Sequence, residues 1–353
     1  MSKVIISSMG VCHPLGMDIE SISNSLGTNL IKKCHLKINE EYVNEMLDKN
    51  GVDFNITRRI DIVSKIVLSA TLSCKKRLGE QLDLKDHVEE IGVLFNTNFG
   101  ALSSSKEFIE GALKNGIKNA SPLIFPFSVP NAATGITTIN LGVRGFNSTI
   151  SGYNPVGYVY DLILLGKMAG CFVGGFEECS AHCDNILCSD NSFYSGSISD
   201  GSATLFVCTD DFAEANDLAK LLEIENFSTQ NSCPQSYSLD NSNDVDEETI
   251  KDCIMTLLSN DDTKNKIKYV ISSFKSGDIL SNVELAVLDG IFKEGLPLIL
   301  YPKLFLGETF GASSTFNIVF ALIYSDKLKS GEKILVNNYD IGGNYSSILL
   351  NKL

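Results

Sequence analysis

The chain of 353 residues has 29 basic and 43 acidic side chains, so its formal net charge is −14, and its isoelectric point is near 4.8. This acidity argues against nucleic acid, whose phosphates are bound mainly by Lys and Arg, and against docking on an anionic membrane. The length is enough for one large or two medium domains with a sizeable buried core.

Short β-rich runs alternate with helical stretches along the chain, and several of the runs are apolar throughout, which is typical of strands buried on both faces. The predicted strands are Val4–Ser8, Ile91–Asn96, Asn147–Ser151, Gly170–Gly174, Ala203–Thr209, Ala219–Asn226, Tyr269–Phe274, Leu298–Tyr301, Lys333–Asn338 and Ser346–Leu350. The predicted helices are Asp18–Leu26, Asp61–Leu78, Ser103–Asn115, Val156–Lys167, Glu247–Leu258 and Val283–Lys293. This alternation predicts an α/β fold whose sheets are covered by helices.

The strands fall into two groups of five, before and after about residue 212, which suggests two similar halves, residues 1–212 and 213–353. No sequence repeat is visible between them. A polar, acidic stretch from Ser228 to Glu248 contains no Lys or Arg, and we interpret it as a surface connection within the second half.

Ten cysteines with no repeated spacing are interpreted as the reduced thiols of a cytosolic protein, most of them in the core. The tightest group is Cys179, His182, Cys183 and Cys188. Zinc ligands usually come in two spaced pairs, so we favour a structural role for this group and predict no metal.

The N-terminal stretch "MSKVIISSMGVCHPLG" has too short an apolar run for a signal peptide, and no stretch approaches the length of a membrane-spanning helix. We therefore expect a cytoplasmic protein.

The stretch "TISGYNPVG", residues 149–157, predicts a strand that runs through a tight elbow into a helix. Many α/β enzymes place a nucleophile on such an elbow, because the turn lifts one side chain clear of the backbone. The tip here carries Tyr153, Asn154 and Pro155, and none of these is an ordinary nucleophile.

The motifs around this elbow resemble those of the β-ketoacyl synthases of the thiolase superfamily. The segment "VIISSMGVCHPLG" resembles their opening strand and turn, and "GVLFNTNFGAL" resembles a glycine-rich segment that follows. Near the C-terminus, "GETFGASS" (Gly307–Ser314) and "NNYDIGGNYSSILL" (Asn337–Leu350) resemble two further motifs. The order holds over nearly the whole chain and implies a thiolase-like five-layered αβαβα fold made of two similar halves.

The resemblance places altered residues where that family has its catalytic groups. Asn154 aligns with the nucleophilic cysteine, Ser273 with the first histidine and Glu308 with the second, while Lys303 corresponds to the family lysine. An Asn amide has neither nucleophilic nor acid–base capacity near neutral pH. The only histidines are His13, His35, His87 and His182, so nothing after residue 182 can supply either family histidine. We therefore predict no condensing activity and no cofactor.

The first functional hypothesis is a chain-length factor, the inactive partner that pairs with an active ketosynthase in some polyketide and polyene-type systems. Such factors usually carry Gln at the cysteine position, so Asn154 keeps the amide group on a shorter side chain. In the family's "GFGG" motif, Asp340 and Ile341 replace Gly and Phe. The resemblance implies pocket positions at Phe125, Phe127, Val129, Tyr153 and Ile341.

It also implies a heterodimer with a ketosynthase through the strand Asn147–Ser151, with the acyl carrier protein docking mainly on the partner, because the net charge of this chain repels an acidic protein. We further expect Thr149–Ser151 to be a central strand and Asn154 to cap a buried helix at the mouth of a pocket.

The second hypothesis is an acyltransferase or hydrolase that kept the pocket and changed the chemistry. Its candidate reagents are Ser151, Tyr153, Glu308 and Ser273. A serine nucleophile needs a base, normally His, and the resemblance implies none nearby.

Overall fold

The protein is described by a computed structural model, which covers residues 3–16, 19–25, 35–178, 197–231, 247–258, 260–293, 295–340 and 342–353. Its strands are β1 (Val4–Cys12), β2 (His35–Leu36), β3 (Ile91–Asn96), β4 (Asn147–Ile150), β5 (Gly170–Glu177), β6 (Ile198–Ser199), β7 (Gly201–Thr209), β8 (Leu222–Asn231), β9 (Ile267–Ile271), β10 (Leu298–Leu300), β11 (Lys333–Tyr339) and β12 (Asn344–Asn351).

The α-helices are α1 (Ile19–Ser25), α2 (Glu40–Lys49), α3 (Phe54–Thr57), α4 (Ile62–Leu78), α5 (Leu102–Asn115), α6 (Ala132–Leu141), α7 (Pro155–Leu164), α8 (Asp210–Ala215), α9 (Glu247–Leu257), α10 (Asp261–Lys266), α11 (Ile279–Ile291), α12 (Lys303–Leu306) and α13 (Ser313–Ser325). Short 3₁₀ turns include Ile117–Asn119, Phe125–Phe127 and Phe310–Ala312.

Ten of the strands form one mixed sheet in the order β10-β9-β11-β12-β8-β1-β7-β5-β3-β4. When the five strands of each half are numbered 1 to 5 along the chain, both halves have the order 3-2-4-5-1 from the outer edge of the sheet to its middle. The halves join where β1 pairs antiparallel with β8, Val4–Ile6 against 222–224. The two similar halves expected from the resemblance are therefore present in the strand order.

Helices lie between and outside the two halves. The central helices α7 and α13 contact each other, and each contacts strands of both halves. Helices α4 and α6 cover the outer face of the first half, and α9 and α11 pack with the apolar residues on the outer face of the second. Helix, half-sheet, central helices, half-sheet and helix make the five layers of the predicted αβαβα fold.

All ten predicted strands and all six predicted helices are present; β3 has the predicted ends, and the others are shifted at one or both ends. The prediction of Thr149–Ser151 as a central strand is wrong, because among the described strands β4 lies at one edge of the sheet with β3 as its single partner, and Ser151 lies in the turn that follows. The proposed division at residues 212 and 213 falls inside α8, which contacts β1 and β7 of the first half. That boundary stays a prediction.

Two sequence predictions concern residues that the structure does not describe. The Cys179–Cys188 group lies wholly in the undescribed range 179–196, and Ile341 is likewise outside the described residues. Among the residues described, no helix has the length and apolarity that crossing a membrane requires.

Candidate functional site

The elbow is built from β4, a turn at Gly152 and the central helix α7. Gly152 has a φ of +72°, a left-handed conformation that glycine adopts without steric cost. Asn154 then occupies the N-cap of α7, and Pro155 takes the first helical position, where no N–H is required. The local sequence thus specifies a tight turn and an immediate helix start.

Asn154 acts as a helix cap. Its Oδ1 accepts hydrogen bonds from the backbone N–H groups of Val156 (3.1 Å) and Gly157 (3.3 Å), and its Nδ2 donates to Ser346 Oγ (3.1 Å). The side chain is 4% exposed. The predicted cap is therefore confirmed at the buried start of α7, and both ends of the amide are engaged in the protein interior, whereas the pocket expected beside it stays a prediction.

The space beside α7 is filled by aromatic rings. Tyr153 is half-buried, and its ring centroid lies 6.2 Å from those of Tyr158 and Phe227. Burial raises the pKa of the Tyr153 hydroxyl. Phe227 packs on the bare backbone of Gly157, where an added Cβ would come within 2.2 Å of the ring. The elbow therefore needs glycine at residue 157 as well as at residue 152.

Glu308, at the second family-histidine position, forms a buried ion pair with Lys303. Lys303 Nζ lies 2.5 Å from Glu308 Oε2, and the two residues are 8% and 3% exposed. Oε1 of Glu308 accepts hydrogen bonds from the Phe310 N–H (2.7 Å) and from Ser313 Oγ (2.5 Å). This carboxylate has all its partners within the protein.

Ser273, at the first family-histidine position, is buried, and its Oγ accepts a hydrogen bond from the Tyr339 N–H (2.6 Å). The adjacent Ser272 donates to Glu284, which also accepts from Asn337 Nδ2 and the Tyr345 hydroxyl, at 2.9 Å each. Burial raises the pKa of Glu284. Ser273 therefore supports the end of β11.

Asp340 brings the C-terminal motif to the elbow. Its Oδ1 lies 3.5 Å from where a Cβ of Gly152 would be, and its Oδ2 accepts a hydrogen bond from Asn98 Nδ2 (2.9 Å). Burial, and to a lesser extent the negative charge of Glu308, raises the pKa of Asp340. Asn344 Nδ2 donates to the Gly152 carbonyl (3.3 Å). The structure thus places Asp340 next to Gly152 of the elbow, and the Lys303–Glu308 pair is near enough for its charges to act on Asp340.

The predicted pocket residues Phe125, Phe127 and Val129 lie on or beside the 3₁₀ turn that contacts α5 and α6. Phe125 is 58% exposed and Val129 41% exposed, while Phe127 is half-buried. Their place beside an acyl pocket stays a prediction.

His13, the most buried histidine described, is committed to structure. Its Nδ1 accepts the Leu15 N–H (3.2 Å), so its proton is on Nε2, which contacts the Leu306 carbonyl (3.0 Å) and Ser199 Oγ (2.9 Å). Burial lowers the pKa of His13 to about 4. Ser199 is fully buried and donates to the Asp200 carbonyl, so this Ser–His contact is not arranged as a nucleophile and base.

Sequence reasoning missed three residues that shape this region, Asn98, Glu177 and Ser346. Asn98 lies just beyond the end of β3, Glu177 is the last residue of β5, and Ser346 lies inside β12. A polar residue in or next to an otherwise apolar run is the signal in the sequence that could have identified them. Within the described ranges, no group of three or more His, Cys, Asp or Glu side chains is arranged to hold a metal ion.

No protein-family model matches the chain. A 3-oxoacyl-[acyl-carrier-protein] synthase 2 of Staphylococcus aureus (strain N315) is 27% identical over 196 residues, which cover 51% of this chain and 47% of that protein. A Synechocystis protein of the same name is 32% identical over 96 residues, 26% of this chain and 23% of its own length. The chain therefore spans about half the length of the S. aureus protein that it matches.

Solved structures match over the whole chain. A type II polyketide synthase acyl-carrier protein in complex with its ketosynthase gives a TM-score of 0.81 at 16% identity, covering 100% of both chains. A β-ketoacyl synthase from Burkholderia phymatum gives 0.80 at 16%, also covering 100% of both. The ishigamide ketosynthase/chain length factor gives 0.78 at 14%, covering 100% of this chain and 99% of that one. The fold is thiolase-like, and relatives and structures together support a place in the β-ketoacyl synthase and thiolase-like superfamily.

Proposed function

We propose that the chain is a non-catalytic ketosynthase-like subunit of the chain-length-factor type, which pairs with an active ketosynthase and shapes the acyl-chain tunnel in polyketide or polyene/fatty-acid-like biosynthesis. The observation that carries the proposal is that both ends of the Asn154 side-chain amide are hydrogen-bonded within the protein. Its amide oxygen caps α7 and its amide nitrogen is bound to Ser346, at the elbow position where the resemblance places a nucleophile.

The other two altered positions support the same conclusion. Acyl condensation by the family requires groups that hydrogen-bond to a thioester carbonyl and assist decarboxylation. Glu308 is instead held by Lys303, Phe310 and Ser313. Ser273 is engaged with the backbone of Tyr339. All three side chains are buried and bonded within the protein, so none of them is free to take the role of the family's catalytic group.

The surface that fits a partner lies at the β4 edge of the sheet. Exposed apolar side chains lie on α5, on α6 and on the turns between them. The turn Phe125–Phe127 contacts both helices, and α6 contacts β4. The exposed apolar side chains are Ile109, Leu113, Ile117, Leu123, Phe125, Val129 and Ile139, each between 41% and 80% exposed. We call this the β4-edge face. An exposed apolar patch beside a free strand edge is typical of a protein–protein interface.

We infer that a ketosynthase covers this face and pairs its own edge strand with β4, with a buried area on the order of 2,000 Å² or more, as obligate interfaces have. The complexes in two of the matched structures, a carrier protein with its ketosynthase and a ketosynthase/chain length factor, support partners of these kinds. Pocket residues near the same face, Phe127 and Val129 among them, would then border a tunnel formed between the two subunits.

Co-expression with a ketosynthase and size-exclusion chromatography test the pairing. Ile139→Glu places a charge on the β4-edge face, on the helix that contacts β4, where Ile139 is 79% exposed, and we expect it to abolish co-purification. Met255→Glu is the matched control, because Met255 is exposed on α9 in the outer layer of the other half. Equal co-purification of the two variants would contradict the proposed interface.

A further inference from the structure

The strand β10 ends the large sheet on the side opposite β4. Among the described strands its single partner is β9, with which it pairs in parallel. The Leu300 carbonyl accepts the N–H of Ser272 (2.8 Å), so the backbone groups of Leu300 face β9. Because these groups alternate in direction along a strand, the N–H and C=O of Ile299 point away from the sheet. This edge can therefore accept a further strand.

A cleft of about 640 Å³ opens beside the start of β10, which we call the β10 cleft. It is formed by α10, the start of β9, the end of α11 and the segment that leads into β10. Its apolar lining residues are Ile267, Ile291, Phe292, Leu296, Pro297 and Leu298. Of these, Leu296 is 41% and Leu298 59% exposed. A cleft with exposed apolar side chains beside a free strand edge is typical of a surface that binds an extended peptide.

The charged groups that line the β10 cleft are Lys264, Lys268, Lys293 and Asp261. Asp261 is paired with Lys264 at 3.2 Å. Lys268 and Lys293 are exposed, and neither forms an ion pair with any residue that the structure describes. Glu294, next to Lys293 in the sequence, lies outside the described residues, and with it counted the lysines still outnumber the carboxylates. The cleft therefore has a local surplus of positive charge on a chain whose net charge is −14.

We propose that the β10 edge and the β10 cleft bind an extended acidic segment of a partner protein, which adds a strand beside β10. The backbone of the segment pairs with Ile299, and its apolar side chains contact Leu296 and Leu298. Its carboxylates lie near Lys268 and Lys293, whose charges act over about 10 Å and so attract the segment although the chain as a whole is acidic. This surface goes beyond the proposed function and does not depend on pairing at β4.

A second copy of this chain fits the β10 edge less well than an acidic segment does. Each copy carries a net charge of −14, so two whole chains repel each other, and a second β10 cleft brings lysines where carboxylates are required. The strand β10 has three residues, so it offers few backbone hydrogen bonds. Contacts of side chains with the cleft must therefore supply much of the affinity, which favours a segment with both apolar and acidic residues.

Two fluorescent, end-blocked peptides of alternating Val and Thr, one flanked by Asp and the other by Lys, test this against the full chain. In fluorescence anisotropy we expect the Asp-flanked peptide to bind about tenfold more tightly than the Lys-flanked one, and its affinity to fall as salt is added. In hydrogen exchange, binding should protect the N–H of Ile299, whereas the N–H groups of β4, at the other edge of the sheet, should not change.

Ile299→Pro removes the outward N–H, and an edge strand tolerates proline where the N–H faces solvent, so we expect the variant to fold and lose binding. If it does not fold, Lys268→Glu/Lys293→Glu keeps the proposal testable. This exposed double variant should weaken the Asp-flanked peptide by about tenfold. Lys76→Glu/Arg77→Glu, at the exposed end of α4 in the other half, makes the same change of charge and should leave binding unchanged.

Four results would overturn the proposal. They are equal binding of the two peptides, protection at β4 in place of Ile299, binding that survives in a folded Ile299→Pro chain, and full affinity in Lys268→Glu/Lys293→Glu. Self-association of the free chain that Ile299→Pro abolishes would also overturn it, because the edge would then belong to a second copy.

Discussion

Lys303 and Glu308 lie five residues apart and form an ion pair, Nζ to Oε2, of 2.5 Å that is almost completely buried. Each charge is removed from water, so each depends on the other. Glu308 also accepts the N–H of Phe310, whose backbone is strained. The pair therefore stabilises the conformation of the segment 307–312 at the site.

Removing one of the two charges should destabilise the protein more than removing both. Lys303→Met leaves a buried, unpaired carboxylate, and we expect it to reduce the free energy of unfolding by roughly 3–5 kcal/mol. Adding Glu308→Gln keeps the acceptor for Phe310 and Ser313 but removes the charge, so the double variant should be more stable than Lys303→Met alone. Denaturant unfolding of the wild type, both single variants and the double variant measures this coupling. Strictly additive effects would show that the two charges do not depend on each other.

The isolated chain should neither condense nor decarboxylate malonyl units. Asn154, Ser273 and Glu308 are bonded within the protein and offer no nucleophile or proton carrier, and His13 is held in the core. Incubation with malonyl- and acyl-carrier protein, followed by intact-protein mass spectrometry, should show neither product nor covalent acylation. An acyl group on Ser151, which is exposed beside the elbow, would support the alternative of an acyltransferase or hydrolase.

Stability should fall as the pH is lowered from 6.5 toward 4 because of His13. Its pKa is lowered to about 4 in the fold, whereas an unfolded histidine titrates near 6.5, so the unfolded chain takes up the proton first. The contribution is complete above pH 6.5 and is lost through this window, with a total of about 3 kcal/mol. The difference between the wild type and His13→Asn isolates it, and His87→Gln, at a partly exposed histidine paired with Glu90, is the control. Identical pH profiles for the wild type and His13→Asn would contradict the assignment.

The chain is acidic as a whole, but basic groups lie together at places on its surface, and Arg58 and Arg59 form one such place. Arg58 and Arg59 are exposed beside Phe54, which is 71% exposed, and neither arginine forms an ion pair with any residue that the structure describes. Since we propose that the carrier protein docks mainly on the ketosynthase, the double variant Arg58→Glu/Arg59→Glu should change the rate of product formation by less than about twofold, because charges away from the docking site contribute little to its association.

Lys76→Glu/Arg77→Glu is the control, because it makes the same change of charge at the exposed end of α4. A loss specific to the Arg58/Arg59 pair would place the carrier protein on this chain instead.

The strands could be predicted from the sequence because most of them are short apolar runs between turn residues, as at Ile91–Asn96. The central helix α13 could not. Its stretch "SSTFNIVFALIYS" is buried on nearly all sides, so it has no polar face to mark a helical period, and its β-branched and aromatic residues are equally typical of strands.

The site shows the same contrast. The cap at Asn154 could be predicted because Asn followed by Pro is a local start signal for a helix. The hydrogen bonds of Glu177 to Asn98 and Gly311 depend on how loops from distant parts of the chain come together, and spacing in the sequence does not determine that. The sequence does not reveal that β4 is an edge strand, because a strand's place in a sheet depends on its pairing with other segments. The partial burial of β4 agrees with the edge position.

Product analysis of a ketosynthase co-expressed with this chain and a carrier protein tests the central claim most directly. The ketosynthase with this chain should make products of a defined length, and Val129→Phe should shorten them without reducing co-purification, because Phe keeps this position of the β4-edge face apolar while its larger ring fills the tunnel. Met255→Phe, on the opposite half, should leave the length as it was. A chain that never co-purifies with a ketosynthase, or an unchanged product length with Val129→Phe, would contradict the account.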